Sequence, residues 1–238
     1  MENLLANLQE HLSFVLVTAA IIAAIALLAK LTERFLPSLH RPSSARRVTI
    51  VAICSALAAV LHILDFPLPF LAPGFYKLDF SELPVMLCGF YLGPTAAVLC
   101  EAIKILLKLL LKSTSTAFVG DFANFVVGCS YVLPAVWIYH MKKTRKSALW
   151  GLITGTLVLT VFGSLFNAVY LLPKFAIMFF GSDISQVIGA GHAVNAGINS
   201  LSSFVLLAVA PLNLIKGVSV SILTLLLYKK VARPLFGH

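Results

Sequence analysis

A chain of 238 residues with 60% hydrophobic and only 11% charged side chains, at a mean hydropathy of +0.98, has too little polar surface for a soluble globule. Its net charge of +9 would suit nucleic acid, but the cations cluster in short segments between apolar runs, where membrane topology accounts for them. The composition specifies an all-α integral membrane protein in a lipid bilayer and excludes a nucleic-acid binder.

The first apolar run, about Leu12 to Leu31, follows Glu2, Glu10 and His11 and precedes Lys30, Arg34, Arg41, Arg46 and Arg47. Charge of that sign on that side reads as a spanning helix with its N-terminus outside, not a cleaved signal peptide. Pro37, Pro42, Ser43 and Ser44 mark a linker. Residues 1–46 thus form one N-terminal transmembrane helix with a cytoplasmic linker, and 47–238 the remaining membrane domain. Val48 to about Leu64 is a second run, bearing Ala52, Ala56 and Ala59 at helical spacing. Such a stripe of small residues lets another helix approach closely, inside this bundle or on a partner.

From Asp65 to Ser81 the chain is dense in proline and aromatics, including Phe75 and Tyr76, and it ends in Lys77-Leu-Asp79-Phe-Ser81-Glu82-Leu-Pro84. The prolines forbid a regular helix and the rings are ill suited to free solvent, so a packed lid is expected, with an interfacial aromatic belt as the other reading. Leu83 to Tyr91 is a short helix, Gly93-Pro94 a turn, and Thr95 to about Leu111 the return. That return carries Glu101, Lys104, Lys108 and Lys112 on one face, and Glu101 is placed to pair with Lys104. After a polar break at Ser113 to Gly120 come Asp121, Asn124 and an apolar run to Tyr139, closed by Lys142, Lys143, Arg145 and Lys146.

Ala148 to Leu172 is again long and apolar, with Asn167 and Tyr170 three apart near its end. Pro173 to about Leu201, with Gly181 and Asp183, is too polar for a full span, and its His192 reads as a loop histidine. The last helix, Leu206 to Tyr228, is bent or started at Pro211. It holds Asn213 and Lys216, three apart and so on one face. An ammonium among apolar residues costs enough to demand a partner or a cavity, unless it snorkels to an interface. Together Asn213 and Lys216 offer an amide donor and acceptor and a cationic donor to a polar ligand. Lys229, Lys230 and Arg233 follow.

Twelve of the 18 Lys and Arg residues fall in three segments, 30–47, 142–146 and 229–233, which are therefore cytoplasmic. Seven spans follow, with the N-terminus outside and the C-terminus inside. The lid, the ends of the helices bearing Lys108 and Asn167, and the starts at Asp121 and Asn213 then meet at one outer level, as a capture pocket requires. Cys54, Cys88, Cys100 and Cys129 lie in apolar runs without metal-ligand spacing and read as small buried hydrophobes. There is no G-x-x-x-x-G-K-[ST] loop, H-E-x-x-H or G-x-S-x-G, so neither ATPase nor hydrolase chemistry is indicated. A membrane enzyme would have to be assembled from Lys77, Asp79 and Glu82.

Four stretches, Lys77-Leu-Asp-Phe-Ser-Glu-Leu-Pro84, Gly93-Pro94, Gly120-Asp-Phe-Ala-Asn-Phe125 and Pro211-Leu-Asn-Leu-Ile-Lys-Gly217, resemble the riboflavin-specific S component of energy-coupling factor (ECF) transporters over about Arg47 to Pro234. The resemblance implies a six-helix S-component bundle that takes up riboflavin as a transported ligand, with no cofactor. It further implies a transmembrane coupling protein and two ATPase subunits as partners. By the same resemblance Asn213, Lys216 and Asn167 contact the isoalloxazine ring; in an aromatic-lidded pocket the ring is expected to stack on Phe75, Tyr76 or Tyr170, and Lys77, Asp79 and Glu82 of the lid complete the expected substrate-binding set. Ala52 and Ala56 dock on the coupling protein, Ala59 extending their face. Two features depart from the pattern: the helix from Leu12 to Leu31 is extra to the usual six, and Asp121 stands where a Glu is expected. Flavin mononucleotide, thiamine or folate are the alternative ligands for such a scaffold.

Overall fold

The computed structural model describes residues 2–36, 42–114, 116, 118–179 and 183–236, with side chains over 16–36, 42–114, 116, 118–177 and 183–228. Pro37, Arg41 and Gly181 lie outside the described residues, as do the side chains of Lys229, Lys230 and Arg233. The apolar runs become helices: α1 (Glu2–Arg34), α2 (Ser44–Ile63), α3 (Glu82–Leu92), α4 (Pro94–Lys112), α5 (Val119–Lys142) and α6 (Arg145–Phe166). A π-helical turn, Asn167–Leu171, joins α6 to α7 (Leu172–Phe179). α8 (Ile184–His192) and α9 (Leu201–Phe204) follow, and a second π turn, Val205–Val209, leads into α10 (Ala210–Phe236). Polar residues between the runs cap them: Ser43 on α2, a reciprocal Thr144/Ser147 box on α6, Asp183 on α8 and a Ser200/Ser203 box on α9.

Among the described residues, five stretches are long and apolar enough to cross a membrane: Leu16–Arg34, Ser44–Ile63, Val119–Lys142, Arg145–Ile177 and Leu201–Tyr228. The other two expected spans differ for opposite reasons. α3 has only 11 residues, about half of what a bilayer core needs, but it is buried on nearly every face inside the bundle. α4 is long enough but carries four charges, of which Glu101 and Lys104 are fully buried. The polar region after Pro173 is partly helical: α7 continues the stretch from α6 through the π turn, and α8 is a short separate helix.

The last spanning helix starts at Leu201, ahead of the expected Leu206, and does not stop at Pro211. Proline removes an N–H and clashes with the preceding turn. The π turn just before it, in which the Ala210 N–H reaches Val205 O, changes the bonding register there and lets the helix pass through Pro211.

α2 packs on α4, α5 on α6, and α6 on α10, around a core that includes Met86, Phe90, Tyr131, Leu152 and Val220. A second apolar cluster caps the outer end, joining Ala72 and Tyr76 of the lid to Leu172, Phe175, Val187, Phe204 and Leu212. The four cysteines are buried and free.

α1 seats on α4 and α5: Ala29 is fully buried, and Ile21 and Ile25 pack beside it against a cluster with Val98, Ile105, Phe125 and Cys129. At its end Glu33 Oε1 accepts the Thr95 N–H at 2.9 Å. The need is local. Gly93, at φ 102° and ψ 178°, holds a conformation essentially reserved for glycine, so the N-cap of α4 has no side chain to offer. A carboxylate there also meets the positive end of the helix dipole. Glu33→Ala is therefore expected to cost about 0.5–2 kcal/mol of stability, the usual value of a cap, and Glu33→Gln less, since it keeps an acceptor. Thermal unfolding of the purified variants checks this, and an unchanged Glu33→Ala protein would show the contact to be idle.

Candidate functional site

The lid is ordered. Phe66–Pro67 and Lys77–Leu78 form a two-stranded antiparallel ribbon with Phe66 opposite Leu78, which brings the chain back over the outer end and delivers Asp79, Ser81 and Glu82 to the interior. Asp79 Oδ1 accepts the Ser81 N–H at 2.8 Å, and its Oδ2 receives Lys216 Nζ at 3.0 Å. Lys216 also meets Glu82 Oε2 at 3.0 Å. The far oxygen of Glu82 stands 3.4 Å from Lys104 Nζ, which also donates to Ser81 Oγ at 3.0 Å and to Glu101. A continuous string of charges, Asp79, Lys216, Glu82, Lys104 and Glu101, thus runs from the outer end into the bundle, all but Lys216 nearly or fully excluded from solvent. Gly128 makes room for its inner end, since a Cβ there would collide with the Glu101 carboxylate.

Three carboxylates face two ammonium groups in this string, and His62 joins it with Nδ1 3.5 Å from Asp79 Oδ2. Burial pushes the Asp79 carboxyl up, but the Lys216 ammonium, followed by His62 and Lys104, outweighs it and holds Asp79 well below the usual carboxylate range. Lys216 is therefore neither a bare cation nor a snorkelling one. Its charge is matched by two carboxylates supplied by the lid motif.

Nearer the surface Lys108 Nζ meets Asp121 Oδ1 at 2.5 Å, and Thr114 Oγ1 donates to Asp121 Oδ2 at 2.7 Å. Asp65 receives both Lys77, at 3.3 Å, and Lys112, at 3.0 Å, tying the lid to the outer end of α4. The two Asp65 pairs are partly exposed, so they latch weakly, within about 1 kcal/mol each.

The opposite wall is aromatic. Phe75 lies with its centroid 5.1 Å from Tyr76 and meets Phe175 edge-on at 5.8 Å. The Tyr76 hydroxyl donates to Asn167 Oδ1 at 2.7 Å, and Asn167 Nδ2 donates to Gly163 O at 2.7 Å, so both ends of that amide are engaged. Asn213 differs: its Nδ2 is buried and has no hydrogen-bond partner.

One cavity gathers most of the residues singled out in the sequence: Phe75, Tyr76, Lys77, Asp79, Asn167, Asn213 and Lys216 all line it. Glu82 stands one layer behind, against Lys216. Tyr170 is not in the lining. It stacks on Phe166 at 5.0 Å and meets Phe122 edge-on at 5.8 Å. The cause is the π turn at Asn167–Leu171, whose wider winding takes residues three apart off a common face. The alanine stripe also divides: Ala52 and Ala56 are exposed, while Ala59 is 1% exposed and sits inside the bundle.

The cavity adds Lys108, Asp121 and Asn124, which the topology had put at the outer level, and also His62 and Phe175, which the sequence did not mark. His62 ends α2 one turn before Asp65, so its distance from the lid was a usable signal.

Residues 46–228 match the family described as "ECF transporter, substrate-specific component". The chain is 36% identical over 187 residues to the riboflavin transporter RibU of Staphylococcus aureus, covering 79% of this chain and 90% of that protein. It is 28% identical to the riboflavin transporter FmnP of Bacillus subtilis, with 78% and 92% covered. Against RibU of Streptococcus thermophilus the identity is 30%, with 78% and 82% covered. A solved structure described as "Structure and mechanism of the S component of a bacterial ECF transporter" superposes with a TM-score of 0.62 at 34% identity, over 80% of this chain and 97% of that one.

Proposed function

The chain belongs to the ECF transporter substrate-specific components, and on that footing we propose that it is a riboflavin-binding subunit that captures its ligand in the lid-covered cavity. The observation that carries this reading is the pairing, in one cavity, of an aromatic wall with an unsatisfied amide and a pre-aligned ammonium. The pyrimidine edge of an isoalloxazine ring presents carbonyl, N–H and carbonyl in a plane, and Asn213 and Lys216 complement it with an amide and a cationic donor. Phe75, Tyr76 and Phe175 offer faces and edges for the ring itself. The outer mouth, with Lys108, Asp121 and Asn124, suits the hydroxyls of the ribityl chain.

The subunit performs no chemistry of its own. Asp79 and Glu82, the carboxylates from which an acid–base pair could be assembled, are committed to Lys216 and Lys104. Transport is driven by a separate energising module, a transmembrane coupling protein with two ATPase subunits, which docks on the exposed Ala52 and Ala56 of α2. The N-terminus is outside and the C-terminus cytoplasmic, following the basic segments.

Stacking on the aromatic wall makes an optical test available. Purified protein is expected to quench added riboflavin fluorescence with a one-to-one endpoint, and to do so in the presence of excess thiamine or folate. No quenching at micromolar riboflavin would overturn the assignment.

A further inference from the structure

His62 lines the cavity but has been given no contact with the ligand. It closes α2, is 5% exposed, and lines the cavity beside Asp79 and Lys216. Its Nδ1 is buried without a hydrogen bond, the 3.5 Å to Asp79 Oδ2 being an ion-pair distance outside hydrogen-bond geometry. A buried polar nitrogen left without a partner is costly, and such groups in native structures call for an explanation. Asn213 Nδ2 is in the same condition and lines the same cavity. Two side chains from different helices, α2 and α10, are thus held ready beside Lys216, each planar and each carrying donor and acceptor capacity.

We infer that His62 is a specificity-determining contact, hydrogen-bonding the same edge of the ligand ring that Asn213 and Lys216 recognise. The inference rests on the flavin reading above. Asp79 links the two sides of the site: through Ser81 it is fixed to the lid, and its Oδ2 faces both Lys216 and His62. The imidazole thus stands beside an immobilised carboxylate without being hydrogen-bonded to it, so its Nδ1 keeps its capacity for a ligand. A flat heterocycle with alternating acceptors and donors satisfies His62, Asn213 and Lys216 together. The ribityl hydroxyls instead fall toward Lys108 and Asp121.

The test compares riboflavin with lumiflavin, which keeps the ring but lacks the ribityl chain, by fluorescence quenching on full-length wild type, His62→Ala and His62→Gln. His62→Ala is expected to weaken both ligands by a similar factor, about tenfold each, the value of one hydrogen bond. His62→Gln, which restores a planar donor and acceptor, should recover most of that loss for both. Weakening confined to riboflavin would put His62 on the ribityl chain and overturn the inference, as would unchanged binding of both. A loss that Gln does not recover, accompanied by a lower unfolding temperature without ligand, would make His62 merely structural. Failure of wild type to bind either flavin would instead overturn the riboflavin reading, and the inference with it.

Discussion

Lys216→Ala is expected to weaken riboflavin binding and to destabilise the ligand-free protein as well. Loss of a charged donor to the ligand accounts for about 1.5–3 kcal/mol, roughly ten- to a hundredfold in affinity. The structure adds a second cost. Lys216 holds Asp79 and Glu82 at 3.0 Å, and both carboxylates are nearly solvent-free. Removing one partner of a buried ion pair leaves the other charge uncompensated, typically about 3–5 kcal/mol. The two effects separate in a double variant. Lys216→Met with Glu82→Gln removes one positive and one negative charge, so it should recover most of the unfolding temperature but none of the riboflavin quenching. If the double variant binds riboflavin normally, Lys216 organises the lid and does not touch the ligand.

That second cost was out of reach of the sequence, and the reason is physical. Lys216 and Asp79 are separated by 137 positions, so no helical spacing links them. The pattern announced that an ammonium in an apolar helix needs a partner, without saying which. Local features were legible: Glu101 and Lys104, one turn apart, pair as their spacing requires, and the proline-rich lid packs on an apolar cluster of its own. The errors cluster where the winding departs from 3.6 residues per turn. Tyr170 left the expected face because Asn167–Leu171 is a π turn, and the last helix began at Leu201, not Leu206, with another π turn at Val205–Val209 ahead of Pro211. Nothing in residue type marks such a turn, since its cause lies in how the bulged segment packs. Ala59 was misjudged differently. Identical residues at helical spacing say that a face is smooth, whereas which part of it is covered depends on the neighbouring elements.

The division within that stripe sets up the last expected result, which concerns transport rather than binding. Ala52 and Ala56 are exposed on α2, flanked by the exposed Ile53, Leu57 and Val60, so small residues lie open among larger apolar ones. Such a notch lets another helix's backbone come close, and dispersion at that contact is what holds helices together in lipid. Ala56 lies six residues before His62, about 9 Å along the helix from the cavity lining. Ala56→Trp should therefore fill the notch and reduce riboflavin uptake to background in cells that carry their own energising module, while the purified variant quenches riboflavin with unchanged affinity. Ala59→Trp is the internal comparison. Its Cβ is already packed inside the bundle, and overpacking there costs about 1–3 kcal/mol or more, so it should lower the unfolding temperature and impair binding together with uptake. An Ala56→Trp protein that transports normally would move the docking surface off this face of α2, and one that loses binding in step with uptake would show that the alanines serve the bundle's own packing.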